Sequence, residues 1–186
     1  MMTNDERDVA GGQKVRLQTI INCRCSPSLF KDVIDFILIH ERKKQIVIEM
    51  GFGTFLEFNF QCLPRELCEK IVDAFDPPTC TITIIGKEMM ITTTDVNYML
   101  GIPSGGKVVC LESDTDEYKE MKRCYMGKKL TLLKNMILEG LVENEFLTSF
   151  KLFTLGTMLN PSSSSFVNER NIRMLCGCQQ NVGEWD

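Results

Sequence analysis

Phe146, Leu147, Phe150, Phe153, Leu155 and Leu159 fall so that a helix through them is apolar nearly all round. Such a helix cannot lie on a surface; it forms the middle of a fold, and other elements must bring one-sided apolar faces to cover it. Asn144 is its expected N-cap, and Pro161 with the four serines behind it is the expected stop.

Several segments meet that demand. Ser26 can cap a helix whose first turn takes Pro27, with Phe30, Val33, Ile34, Ile37 and Leu38 at spacings of three and four. A second helix from His40 or Glu41 turns Ile46, Val47 and Met50 inward and meets Gly51 where a left-handed cap belongs. The two are expected to form a bent hairpin. Phe58 and Phe60 alternate around Asn59, which allows an extended piece between Phe52 and Phe60. Pro64 opens a third helix, with Leu67, Cys68, Ile71, Val72 and Phe75 on one side and Asp76-Pro77-Pro78 as its end.

From Thr79 the apolar period drops from about 3.6 to 2. Cys80, Ile82 and Ile84 face one way, Thr81 and Thr83 the other, and Glu88 to Ile91 returns as the partner strand. Gly86-Lys87 suits a type II′ turn. A single hairpin is too small to stand alone, so it is expected to lie on the helices. Thr92 and Asp95 have capping-box spacing, Val96, Met99 and Leu100 line the inner side of the helix that follows, Gly101 closes it, and Pro103 prevents its continuation. Beyond Lys107 a polar, acidic excursion reaches about Lys129, with a frayed helix around Tyr118 to Tyr125. Thr131 is the expected cap of the next helix, with Leu132, Leu133, Met136 and Ile137 buried, and a weak last helix runs from Asn168 to Leu175. The fold class is therefore mainly α with a small β-hairpin, an α+β domain in which the hairpin packs on helices. Its expected organisation is a disordered lead-in over 1–22, a helical domain over 23–175 and an irregular tail over 176–186.

The 186 residues carry a net charge of −4 and a pI near 5.2, so no broad positive field favours nucleic acid or an anionic membrane. Arg42, Lys43 and Lys44 make a short basic cluster, and Glu112, Asp114, Asp116, Glu117 and Glu120 an acidic one; both read as solvated faces. The longest apolar run, Phe36 to Ile39, is far below the roughly 20 residues of a membrane span. A polar start without an apolar signal core makes the nine cysteines reduced, intracellular thiols.

Gly101, Gly106 and Lys107 stand at P-loop spacing, but a helix precedes them, Pro103 lacks an amide donor, and Val108 stands where a magnesium-binding hydroxyl belongs. A glycine cap followed by a Pro-Ser-Gly-Gly turn explains Gly101, Pro103, Gly105 and Gly106 without a ligand. The lone histidine, His40, has no thiol placed beside it by the sequence. Cys23 with Cys25 and Cys176 with Cys178 are C-x-C pairs, shorter than the usual zinc spacing, and ordinary thiols are the preferred reading. The acidic run is too solvated for paired-carboxylate catalysis, and no lysine sits in a pyridoxal-phosphate cup. No cofactor, metal or catalytic residue is expected.

Taken in order, "RCSPSLFKDVI" (Arg24 to Ile34), "EMGFGTFLEF" (Glu49 to Phe58), "LPRELCEKIVDAFDP" (Leu63 to Pro77), "ITIIGKEMMIT" (Ile82 to Thr92), "DVNYMLGIPSGG" (Asp95 to Gly106) and "FLTSFKLFTLGTMLNPSSSS" (Phe146 to Ser165) resemble the plant mobile domain, also labelled aminotransferase-like. Asn160 departs from that pattern, standing before Pro161 where the family often has cysteine. The resemblance implies a nuclear, transposon-derived plant protein that associates with other proteins or chromatin. It implies no transamination, because no lysine or phosphate-cup motif maps onto these positions. A noncatalytic interaction module is thus the leading expectation. Nucleic-acid binding through Arg42 to Lys44 is the alternative, and nucleotide- or pyridoxal-phosphate-dependent catalysis is the remaining one.

Overall fold

The computed structural model of the chain describes residues 24–59, 64–102, 114–140 and 142–177. The helix demanded by the phenylalanines is α7, Glu143–Thr154, continued by a wider π turn over Leu155–Leu159. Phe146, Phe150, Leu152 and Phe153 are buried on it, and the run from Thr154 through Thr157 is buried as well, so this segment is the middle of the fold. It starts two residues earlier than expected. Asn144 lies inside the first turn, Val142 holds the N-cap position, and no side chain caps the helix.

Against it lie α1 (Pro27–Leu38), α2 (Glu41–Glu49) and α6 (Leu130–Leu138), with α5 (Asp116–Tyr125) and α8 (Glu169–Gly177) packed on each other. On α1, Phe30, Val33, Ile34 and Ile37 are buried as their spacing requires, whereas Leu38 stands at the exposed margin. Ser26 occupies the N-cap position without a side-chain bond; its backbone N–H instead donates to Thr157 O at 3.0 Å, tying the start of α1 to the π turn. At the end of α2, Gly51 takes a φ of +79°, its N–H donates to Ile48 O, and the Phe52 N–H donates to Val47 O, the paired bonds of a Schellman cap.

The extended piece considered after Gly51 is instead a 3₁₀ turn, Gly53–Leu56. Burial explains the difference: Phe55 is fully buried, meeting Phe30 edge-on at 5.5 Å between ring centroids and Phe58 at 5.3 Å, and only a tight turn aims Phe52, Phe55 and Phe58 at the same aromatic cluster. Phe60 lies outside the described residues.

Three further helices depart from their expected ends. Thr131 sits in the first turn of α6 rather than capping it, because Leu130 must already be helical to reach the core; Leu132 is exposed and Met136 half-buried, while Leu133 and Ile137 are fully buried. The excursion after Lys107 contains a well-formed α5, capped by Thr115 Oγ1 accepting from the Tyr118 N–H at 3.1 Å, with Tyr118 itself in the core. The last helix, α8, runs to Gly177, so Cys176 and Gly177, assigned to an irregular tail, are helical, and Cys176 is buried. Its start is secured by Asn168 Oδ1 accepting from the Asn171 N–H at 2.8 Å.

The remaining elements form a second layer. Helix α3 (Arg65–Ala74) runs into β1 (Phe75–Asp76), which pairs antiparallel with β2 (Thr81–Ile84), which pairs antiparallel with β3 (Lys87–Met90); α4 (Thr93–Leu100) follows. The expected hairpin is thus the larger part of a three-stranded sheet. Ile84 pairs with Lys87, so the two loop residues are Ile85 and Gly86, one position earlier than a Gly86-Lys87 turn. Their φ values, +50° and +71°, are the two positive angles of a type I′ turn, whose twist matches that of the strands. The sheet packs against α3. The whole is an α+β domain, mostly helical with a small antiparallel sheet.

Candidate interaction surface

The turn residues anticipated from the sequence anchor this second layer. Thr92 and Asp95 form a complete capping box: the Thr92 N–H donates to Asp95 Oδ2 at 2.8 Å and the Asp95 N–H donates to Thr92 Oγ1 at 3.3 Å. The Thr92 hydroxyl also donates to Asp95 Oδ2, and these bonds hold the Asp95 carboxyl below its ordinary pKa. Gly101 closes α4 with φ +65°, its N–H donating to Asn97 O at 2.7 Å.

Gly101 has a second reason to be glycine. A Cβ there would stand 1.8 Å from Thr54 Oγ1 and 2.7 Å from Thr54 Cβ, so the backbone at the end of α4 rests directly on the 3₁₀ turn of the core. Leu100 and Ile102, on either side of it, pack against the hydrophobic core. The residues 100–102 therefore dock α4 onto the helical layer. A helix does precede Gly101, as the glycine-cap reading requires; Pro103, Gly105, Gly106 and Lys107 lie outside the described residues.

What the sheet layer does with its apolar side chains differs from expectation. No residue of α3 or α4 is buried, and Leu67, Ile71, Val72, Val96 and Met99, all read as inward-facing, stand exposed. Eleven of the eighteen large hydrophobic side chains that stand exposed among the described residues fall between Leu67 and Met99. The register places Ile82 opposite Met89 and Ile84 opposite Lys87, and the Ile91 N–H donates to Cys80 O at 2.8 Å, so Ile82, Ile84, Met89 and Ile91 share one face of the sheet. Met89 is 52% and Tyr98 89% exposed. At the tip Ile85 is 98% exposed while holding a positive φ that a β-branched side chain adopts at a cost of roughly 1–2 kcal/mol.

The sequence carried the signal for this surface in the amphipathic stripe of α3 and the alternation of β2. It carried nothing that says whether such a stripe faces the chain's own core or something else.

The other candidates are accounted for within the molecule. Arg42 makes a two-pronged contact with Glu143 at 2.9 and 3.0 Å, the Lys43 ammonium lies 4.4 Å from the centre of the Phe146 ring, and Lys44 pairs with Glu41 at 3.6 Å. Burial pulls the Lys43 pKa down. Arg42 and Lys43 thus fasten α2 to α7, and Lys44 is partnered within α2. His40 is exposed, its Nδ1 2.8 Å from Phe36 O, at the edge of a shallow depression shared with Arg42, Lys43 and Glu143.

Members of the acidic run are likewise engaged. Asp116 pairs with Lys119, Glu120 with Arg123, and Asp114 with Arg173 at 3.2 Å. Arg173 also stacks 4.2 Å from the Tyr118 ring centre and contacts Glu169, which further accepts from the Tyr118 hydroxyl and pairs with Lys122. The Tyr118, Arg173 and Lys122 donors together hold the Glu169 carboxyl down to about 2. This network, unseen in the sequence because its members are far apart, joins α5 to α8.

Of the two C-x-C pairs, Cys23 and Cys178 lie outside the described residues; Cys25 Sγ is 3.7 Å from Met158 O, and Cys176 Sγ lies 3.5 Å from Met121 Sδ. Among the described residues no group of three or more His, Cys, Asp or Glu is placed to hold a metal ion, and no helix is long and apolar enough to cross a membrane.

Fold and surface together define a class: a helical α+β domain with a small antiparallel sheet whose strands and flanking helices carry exposed apolar side chains. Within that class the chain belongs to the domain of unknown function family DUF8566, whose model matches residues 23–185. Neither the curated proteins nor the solved structures contain a match to it.

Proposed function

We propose that this chain is a noncatalytic protein-interaction module, and that its contact surface is the layer formed by α3, the sheet and α4. One observation carries the reading: the exposed apolar side chains concentrate between Leu67 and Met99, on elements that the core uses only through residues 100–102. So many exposed apolar side chains gathered on a few adjoining elements differ from the singly scattered apolar residues of an ordinary surface. Among the described residues the edge of β3 is unpaired, and its main-chain groups are able to extend the sheet, the mode by which many domains take up a partner strand. The resemblance to the plant mobile domain supports a nuclear setting in a transposon-derived plant protein. The partnered state of Arg42, Lys43 and Lys44 weighs against nucleic acid as the main ligand.

The test is cross-linking of the full chain in plant nuclear extract, comparing the natural sequence with Ile71→Glu/Met89→Glu. Cross-linked proteins captured by the natural sequence and lost from the double variant, with circular dichroism unchanged, are expected. Identical capture by both would refute the surface assignment.

A further inference from the structure

We propose that Met89, Met90 and Met99 form a modification site for peroxide, and that their conversion to sulfoxide turns the contact surface off. The inference rests on the interaction-module reading and deepens it by adding a regulation to the same site.

The distribution of the methionines carries the argument. Met89 is 52% exposed and Met90 and Met99 are each 68% exposed; among the described residues the one other exposed methionine is Met126, at 44%. Met50, Met121, Met136 and Met158 are half-buried and packed against the hydrophobic core, and half-buried Met174 holds its sulfur 3.7 Å from Asn160 Nδ2. Oxidation of a thioether follows its access to solvent. The chain thus places its most accessible thioethers on the layer that also gathers its exposed apolar side chains.

Their positions make the chemistry consequential. Met89 lies opposite Ile82 on one face of the sheet, Met90 lies opposite Thr81 on the other face, and Met99 stands on α4. A partner laid on either face of the sheet therefore meets a methionine. Unbranched and polarizable, these side chains adapt to an apolar contact. In the reaction the sulfur lone pair attacks one oxygen of the peroxide, an S–O bond forms and the O–O bond breaks. The second oxygen leaves as water once protons have transferred, so the sulfur is oxidised by two electrons and the peroxide reduced by two. The sulfoxide is polar, and enclosing it in an apolar contact strips water from an oxygen that then has no donor. None of the three side chains is buried, so the core keeps its packing while the surface changes character. Methionine sulfoxide reductases reverse the step, which makes the site resettable.

Hydrogen peroxide added to the full chain, with three readouts, tests the proposal. Peptide mass mapping over time should show Met89, Met90 and Met99 gaining an oxygen before the half-buried methionines. Retention on a phenyl column under native conditions should fall as they do. Cross-linked capture from plant nuclear extract should drop by at least about tenfold and return after treatment with methionine sulfoxide reductase. Met89→Leu/Met90→Leu/Met99→Leu, which retains Cys80 and the other thiols, should keep both retention and capture under the same peroxide. Oxidation of the half-buried methionines as fast as these three would overturn the proposal. So would equal loss of capture in the triple leucine variant, because thiols would then be responsible. Capture that survives three sulfoxides would overturn the regulation alone and leave the interaction module standing. A natural chain that captures nothing lost on Ile71→Glu/Met89→Glu would overturn the module reading, and the regulation with it.

Discussion

Replacing Gly101 by alanine tests how the two layers are joined. Two costs act at this position. Alanine in the left-handed region that Gly101 occupies, φ +65°, costs roughly 1–2 kcal/mol. Its methyl would also fall 1.8 Å from Thr54 Oγ1 and 2.7 Å from Thr54 Cβ. Rotation of the threonine side chain can remove the first clash but not the second, since a Cβ does not move with χ1. The end of α4 must therefore lift from the 3₁₀ turn, an overpacking strain of about 1–3 kcal/mol. The sum, roughly 2–5 kcal/mol, corresponds to a fall in melting temperature of about 5–15 °C for a domain of this size. Thermal unfolding followed by circular dichroism measures it. Thr54→Gly in the same chain removes the clash but leaves the φ cost, so the double variant should recover about half of the loss; this excess is the coupling between the layers. A melting temperature within 1 °C of the natural chain for Gly101→Ala would refute both the left-handed cap and the contact.

The ion network of α5 and α8 predicts a pH dependence. Glu169 is held at about 2 in the fold against an ordinary value of 4.5. Its contribution is therefore fully present above about pH 4.5 and is lost as the pH falls toward 2; Glu169→Gln should lower stability at pH 7 and flatten the acid limb of the unfolding profile in that window. Phe30→Ala, which empties a fully buried site touching Phe55, Phe150 and Phe153, should cost about 3–5 kcal/mol by urea unfolding. Burial pushes the Cys176 thiol up to about 11, so at pH 8 iodoacetamide should modify exposed Cys80 in the folded chain and reach Cys176 only on unfolding, as peptide mass mapping would report.

The elements legible from sequence were those whose local and long-range requirements agree. α1 and α7 carry apolar residues at helical spacing and bury them; Gly51, Gly101 and the Thr92–Asp95 box are punctuation whose geometry is local, and each holds in the structure. Errors arose where a distant partner decides. Thr131 is a good cap in isolation, but Leu130 has to be helical to reach the core, and so α6 begins earlier; α7 likewise begins at Glu143, with Asn144 inside its first turn. Alternation around Phe58 suggested a strand, yet the aromatic cluster needed a turn. The stripe of α3 and the inner residues of α4 carry core-facing spacing yet stand exposed, because an amphipathic pattern is the same whether the apolar side meets its own fold or another surface. The Tyr118, Glu169 and Arg173 network was invisible for want of any short-range pattern.

Amide hydrogen exchange at Glu88 and Met90, resolved by NMR, tests the central claim most directly. The account predicts fast exchange at these two amides in the isolated chain, slow exchange at Lys87, Met89 and Ile91, and growing protection at Glu88 and Met90 as bound partner rises. Exchange at Glu88 and Met90 that stays fast under every such condition, or that is already slow in the isolated chain, would contradict it.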